Sequence, residues 1–401
     1  MDGQAYVYDA VRTPRGRVRR SGGTLADLTA ADLFGQLLTA LADRGLPPDR
    51  VDDIVAGVST TTGEQAPDVP RVAVMLAGWP DETPAGTVSR MCCSGLDAIA
   101  TAAAQVRSGM ADLVVAGGAE SMSRVPMMSD KPGVAVDPRL AAATGFVTIG
   151  VSADYTAVKH GFAREQLDAF GVRSHVRAAA APAWECIVPV THQGEVILAA
   201  DEGARADTTM ESMAALPALF GEDPAWATVE ERFPGFVRPS EGLHTVGTAP
   251  QLCDGASAAV IGSSAVADVL GRAPRARIAG WAHTAVRSPG LDGTIEAARL
   301  AMKRAGITTD QLAVAELNES FSVSPLLLIR ELGLDEDIVN EHGGAVALGH
   351  PLGASGGIIL ANAIERLERH AANGGGGGYG LLVIPAGLGV SMAVVIEQVA
   401  S

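Results

Sequence analysis

The chain has 401 residues, 47% of them hydrophobic and 19% charged, which is enough apolar length to bury large cores and excludes wholesale disorder. Aromatics are only 4% while glycines number 47, a composition suited to close packing of helices against strands. The net charge of −16 excludes a general nucleic-acid binder, which needs a basic face, but not an anionic small ligand held by a few local groups.

Ala5–Val11 alternates as a strand, and Arg12–Gly16 follows as a loop. Leu28, Leu33, Leu37, Leu38 and Leu41 repeat with helical period, so a helix is expected over Leu25–Arg44, stopped by Gly45. Val51–Val58 reads as a strand and Arg71–Gly78 as a helix. Thr83–Val88 leads into Cys92-Cys93, then an Ala-rich helix over Gly95–Gly109 and a strand over Asp112–Ala116. This alternation calls for a mostly parallel sheet covered by helices on both faces. From Ser121 to Pro250 the texture changes to an insertion, with one clear helix over Gly161–Ala181 and loop-rich stretches at Asp207–Gly221 and Pro224–Pro239.

The first style returns after Leu252, and with it an internal repeat. Ala40–Asp49 resembles Ala301–Asp310, and Ser94-Gly95 matches Ser355-Gly356, both at a spacing of 261 residues. Leu113-Val114-Val115 matches Leu381-Leu382-Val383 at a slightly larger spacing, with the extra residues in Gly374–Gly378. The chain therefore reads as two similar α/β halves, in which Cys92-Cys93 and Gly353-Ala354 take equivalent places before a helix. Tyr379–Ile396 carries no charge over 18 residues, but Gly380, Pro385, Gly387 and Gly389 interrupt it. It reads as two buried strands around a turn rather than a membrane span.

The four cysteines, Cys92, Cys93, Cys186 and Cys253, suit neither a disulfide framework nor a zinc site. With no apolar leader in the first twenty residues, the expected compartment is a reducing cytoplasm. Three segments carry candidate chemistry. Cys92 lies at a strand-to-helix turn, where the helix N-terminus favours thiolate over thiol; the alternative is that Cys92 and Cys93 are small buried residues. His350 sits between Gly349 and Pro351 in a glycine-rich loop, where imidazole can take a thiol proton or donate to a carbonyl oxygen. Asn318, at a strand end, can hold a water that donates to an oxyanion, and Glu319 can orient its neighbours, although an Asn-Glu pair there is usually a cap.

Together these segments resemble the thiolase family. Its nucleophile pattern, Asn-Arg-x-Cys-x-Ser-Gly-Leu, appears as Ser89–Leu96 with only the first residue changed. Asn-Glu-Ala-Phe appears as Asn318–Phe321, and Gly-Gly-x-x-x-x-Gly-His-Pro is complete at Gly343–Pro351. Asp9–Pro14, Gly117–Ser123, Arg173–His175 and Asp254–Ala256 extend the match nearly end to end. The resemblance implies an α/β fold of five layers, α/β/α/β/α, made of two similar halves with an inserted loop domain that binds CoA. The expected division is 1–120 plus 251–270 for the first half, 121–250 for the loop domain and 271–401 for the second half. It implies Cys92 as the acyl-carrying nucleophile with His350 and Asn318 as its catalytic partners. It also implies acyl-CoA substrates, no tightly bound cofactor, no metal, no nucleic-acid or membrane partner, and a homodimer or homotetramer.

The resemblance departs at one wall. The family's Cys-x-Gly-Gly-Gly-x-Gly is here Val383–Gly389, so the second catalytic Cys is Val383 and the first Gly is Pro385. Val383 moves no proton. Pro385 has no N–H for the oxyanion, a donor typically worth about 2.7–4 kcal/mol. Upstream, Pro250 stands where a Ser usually contacts the pantetheine arm. The leading expectation is thus a thiolase-like C-acyltransferase working through acyl-Cys92. The alternatives are an acyltransferase or hydrolase that passes the acyl group to an amine, hydroxyl or water without Cα deprotonation, and a weakly active partner subunit of another thiolase.

Overall fold

A computed structural model describes residues 3–399. The first half runs β1 (Tyr6–Arg12), α1 (Ala30–Asp43), β2 (Asp53–Gly57), α2 (Val69–Leu76), β3 (Ala85–Val88), α3 (Ser94–Ser108) and β4 (Leu113–Ser121). Helices α4 (Ile149–Lys159) and α5 (Arg164–Ala179) follow, and β5 (Cys253–Gly262) completes the half. The second half runs β6 (Ala276–Ala285), α6 (Gly293–Ala305), β7 (Leu312–Leu317), α7 (Val323–Leu332), α8 (Ser355–His370), β8 (Tyr379–Pro385) and β9 (Val390–Gln398).

The strand order repeats between halves. In the first it is β3-β2-β4-β5-β1. In the second it is β7-β8-β9-β6, with Val339 bridging the outer edge of β7 in parallel. The sheet is mixed and not mostly parallel as expected: β2–β3, β2–β4 and β7–β8 are parallel, whereas β1–β5, β1–β6, β4–β5, β8–β9 and β9–β6 are antiparallel. The two sheets meet where Tyr6 pairs with Arg277 and Val7 with Ala276. The uncharged stretch near the C-terminus is the β8–β9 strand pair, and among the described residues no helix is long and apolar enough to cross a membrane.

Alternation along the strands builds the layers. Leu113 and Val115 of β4 join α1 and α2 in one outer core. Val114 and Ala116 face α3 and α8 in the central core. Leu382 and Ile384 of β8 face that same central core, while Leu381 and Val383 turn to α6 and α7 in the other outer core. The result is the five-layer α/β/α/β/α arrangement. Helix α8 is buried on nearly every side from Ser355 to Leu367, as a helix between two sheets must be.

Local chemistry sets the helix starts. Thr29 and Asp32 form a capping box, so α1 begins at Ala30, and Leu25–Leu28 are turns instead of its first residues. Its Leu33, Leu37, Leu38 and Leu41 are fully buried, each worth about 1.5–3 kcal/mol. Asp68 caps α2 by accepting from Arg71 N, which moves its start ahead of the expected Arg71. Helix α4 had no counterpart in the expectations, and the loop-rich stretches hold short helices at Met210–Ala214 and Trp226–Arg232. Gly150 through Ala157 of α4 are all buried, so its sequence shows no polar face to betray the helical period.

Helices α3 and α8 meet at their N-termini with no side chain between them. A Cβ on Gly95 would lie 2.6 Å from Gly353 O, and one on Gly356 would lie 2.5 Å from Gly95 C and closer still to Leu96 N. A Cβ on Gly353 would lie 2.6 Å from Gly57 O. Only glycine allows main chain to approach main chain this closely. The contact fixes the two candidate loops, one preceding each helix, relative to each other.

Candidate active site

The nucleophile loop joins the edge strand β3 to α3. Met91 adopts φ 50°, which turns the chain back on itself. Ser94 holds the turn: its Oγ accepts from Arg90 N at 2.8 Å and donates to Met91 O at 2.6 Å. Cys93 is fully buried, and its Sγ donates to Ile384 O at 3.3 Å. Cys92 is half-buried, whereas Cys186 and Cys253 are buried.

The thiol of Cys92 does not rest as a thiolate. Burial of its surroundings, and then the nearby Glu120 carboxylate, push it up to about 12. A thiol raised in this way needs a base before it can act as the candidate nucleophile. Glu120 accepts hydrogen bonds from Ser59 N, Thr60 N, Gln65 Nε2 and Gly353 N at 2.7–3.1 Å. Through Gly353 it ties the first half to the loop that precedes α8.

That base is available at His350. Gly349 takes φ 102°, and a Cβ there would lie 2.6 Å from Cys253 Sγ, so the turn requires glycine. His350 N donates to Gln251 O at 2.9 Å. His350 Nδ1 lies 2.6 Å from Ser355 Oγ, while the buried Nε2 has no partner. In the tautomer whose Nδ1–H donates to Ser355, Nε2 presents a free lone pair. Burial, and then the charge of Arg15, lower the imidazole to about 3, so it is neutral at ordinary pH. Ser94 and Ser355 are the repeat-related serines, and each steadies the catalytic loop of its own half.

Asn318 ends β7, anchored by its N–H to Val383 O at 2.8 Å, and its Nδ2 donates to Ser320 Oγ at 2.6 Å. Glu319 accepts from Ser174 Oγ, Asn340 Nδ2 and Val346 N, so it fastens α5 and the Asn340–Val346 segment to β7. Asn340 also pairs with both N and O of Leu317 at 2.8 Å, replacing a strand neighbour. Asn318 and Ser355 line one small enclosed cavity together with Arg15, Asn340 and Gly349. On the departed wall, Val383 is fully buried in the outer core and Pro385 pairs with Ser391. Among the described residues no group of three or more His, Cys, Asp or Glu is placed to hold a metal ion.

Two family profiles match the chain: "Thiolase, N-terminal domain" over residues 5–265 and "Thiolase, C-terminal domain" over residues 272–398. The chain belongs to the thiolase family. A beta-ketoadipyl-CoA thiolase of Acinetobacter baylyi is 38% identical, over 98% of this chain and 99% of that one. A 3-ketoacyl-CoA thiolase of Pseudoalteromonas translucida is 37% identical, over 98% of each. An acetyl-CoA acetyltransferase of Bacillus anthracis, solved by crystallography, superposes with a TM-score of 0.82 at 28% identity, covering 99% of both chains. This thiolase is an enzyme of the acyl-CoA C-acyltransferase class, and its fold is the thiolase fold.

The sequence points to Cys92, His350 and Asn318 as candidates and to Glu319 as an orienting group. Ser94 and Ser355 correspond in the repeat, and Glu120 lies in the Gly117–Ser123 motif, but nothing in the sequence signals their roles. Accessibility selects the reactive thiol. Iodoacetamide is expected to label Cys92 first, at a rate that keeps rising with pH above the ordinary thiol value of about 8.5. Peptide mapping that finds Cys186 or Cys253 labelled first, or a Cys92 rate that levels off near neutrality, would contradict this placement.

Proposed function

We propose that this thiolase carries the acyl group on Cys92 and cleaves 3-ketoacyl-CoA with CoA, or runs the reverse condensation. The carrying observation is the unpartnered Nε2 of a neutral, oriented His350, in the same two-helix junction as the one partly exposed cysteine. His350 Nε2 takes the Cys92 proton. The thiolate adds to the 3-keto carbon, and the C2–C3 bond breaks, leaving acyl-Cys92 and the acetyl-CoA carbanion. Because Val383 carries no proton, the proton held by His350 is the one returned to that carbon. CoA thiol then attacks acyl-Cys92, gives its proton to His350, and leaves as the shortened acyl-CoA while the proton returns to Cys92. Asn318 assists at the carbonyl oxygen through a bound water.

The 3-ketoacyl-CoA class is supported by the relatives, which are named for beta-ketoadipyl-CoA and 3-ketoacyl-CoA. Residues 121–250 are assigned to CoA binding as an inserted loop domain. The unpaired cysteines fit a cytoplasmic setting. A second reading is favoured by Val383 and Pro385 alone: acyl transfer to an amine, hydroxyl or water needs no carbon acid and tolerates both.

Intact-protein mass spectrometry after incubation with acyl-CoAs is expected to show one acyl adduct on the wild type and none on Cys92→Ala. Val383→Cys with Pro385→Gly is expected to raise thiolysis of 3-ketoacyl-CoA on the order of 10²-fold, as a restored acid–base group does. Fast wild-type thiolysis that this double variant leaves unchanged would contradict the proposed handicap. An acyl-Cys92 adduct without any thiolysis would favour the second reading.

The homodimer assignment is supported by the outer edge of β3, which has no strand partner among the described residues, and by the exposed Val72, Met75 and Leu76 stripe on α2. Light scattering is expected to give at least twice the chain mass of 40.9 kDa. Met75→Glu with Leu76→Glu is expected to shift it toward monomer; an unchanged assembly would place the interface elsewhere.

A further inference from the structure

Two arginines share one buried carboxylate behind the catalytic histidine. Arg12 binds Asp201 through Nη1 and Nη2 at 2.8 and 2.9 Å. Arg15 binds the same carboxylate through its backbone N at 2.8 Å and through Nη2 at 3.2 Å. Arg12 is fully buried, and Arg15 is 5% exposed. Both arginines belong to a buried polar cluster that also holds Glu316, which lines the same cavity as Arg15 and accepts from Arg366 at 2.7 Å; such charges are tolerated only where their partners are fixed. Arg12 has a structural outlet, since its Nε donates to Asn362 Oδ1 on α8 at 3.0 Å.

Arg15 has a different one. Its Nη1 donates to Gly349 O at 3.3 Å, and it lines the cavity shared by Asn318 and Ser355. The Gly349–His350 peptide is thereby held on both sides. Its carbonyl is bound by Arg15, and its N–H is bound by Gln251 O. With Ser355 on Nδ1, the backbone plane and the ring of His350 are both fixed. The guanidinium charge also opposes a charged imidazole. The segment that carries Asp201 adds a further clamp: Glu202 accepts from Arg17 N and Thr24 Oγ1, and a Cβ on Gly203 would lie 2.5 Å from Ala347 O.

We infer that Arg15, anchored by Asp201, is a positioning residue of the acyl-transfer reaction: it pins the Gly349–His350 peptide and so holds the imidazole in place for proton transfer. This rests on the reading of Cys92 and His350 given above. Its contribution is to turnover and not to CoA binding.

The test compares wild type, Arg15→Lys and Arg15→Gln in thiolysis of acetoacetyl-CoA by CoA, with thermal unfolding and acyl-Cys92 formation followed in parallel. Lys keeps the charge but cannot reach both Asp201 and Gly349 O; Gln keeps a donor but loses the charge. The kcat order expected is Arg above Lys above Gln, with the Gln variant lowered about 10- to 100-fold, as misplaced catalytic groups are, and KM within about twofold. Wild-type kcat in Arg15→Gln overturns the inference, as does a raised KM at constant kcat. Should Arg15→Gln fail to fold, Arg15→Lys decides, since wild-type kcat in a folded Lys variant also overturns it. A wild type that forms no acyl-Cys92 sinks the reading of Cys92 itself, whereas normal acylation and turnover in both variants sinks only the role of Arg15.

Discussion

The structure depends on one contact, the side-chain-free meeting of α3 and α8 at Gly95, Gly353 and Gly356. Each helix begins just after a catalytic loop, so the separation of the helices sets the separation of Cys92 from His350. Close main-chain packing leaves no side chain to rearrange and absorb an error. Glu120 reinforces the junction, since one carboxylate accepts from the Ser59–Thr60 loop, from Gln65 and from Gly353. Fold and site are therefore one problem: two copies of a strand–helix unit are stacked so that the first contributes the candidate nucleophile Cys92 and the second the candidate base His350.

Burial is the largest influence on the titratable groups of this junction. Desolvation pushes the Cys92 thiol up and the His350 imidazole down, so the resting pair is thiol and neutral base. The buried carboxyls of Glu120, Glu316 and Glu319 are raised by the same cause, and hydrogen-bond donors or Arg366 partly offset it. Such a site holds charge only where partners are fixed in advance, which gives weight to Arg15, held between Asp201 and Gly349 O.

Much of this was legible in the sequence, for identifiable reasons. The two similar α/β halves follow from the strand–helix alternation and the 261-residue repeat, the five layers from the resemblance to thiolases, and the β8–β9 pair from Gly and Pro breaking an apolar run. Cys92, Asn318 and His350 stood in motifs whose residue types name their chemistry. What stayed hidden was either non-periodic or non-local. Helix α4 is buried on both faces and shows no helical stripe. Arg15 and Asp201 meet across 186 residues, with no local pattern to join them. The burial that pushes the thiol up depends on the density around it, which no spacing of residues encodes.

The glycine crossing sets the geometry of the two candidate loops. Gly356→Ala puts a methyl against the backbone of Gly95 and Leu96, while Gly377→Ala puts one into open space. Overpacking of this kind typically costs about 1–3 kcal/mol, and a shift of the two loops typically costs on the order of 10²-fold in rate. The rate of acyl-Cys92 formation, measured by rapid-quench intact mass on folded protein, should fall on that order in Gly356→Ala and stay unchanged in Gly377→Ala. A folded Gly356→Ala enzyme that acylates Cys92 at the wild-type rate would contradict the account.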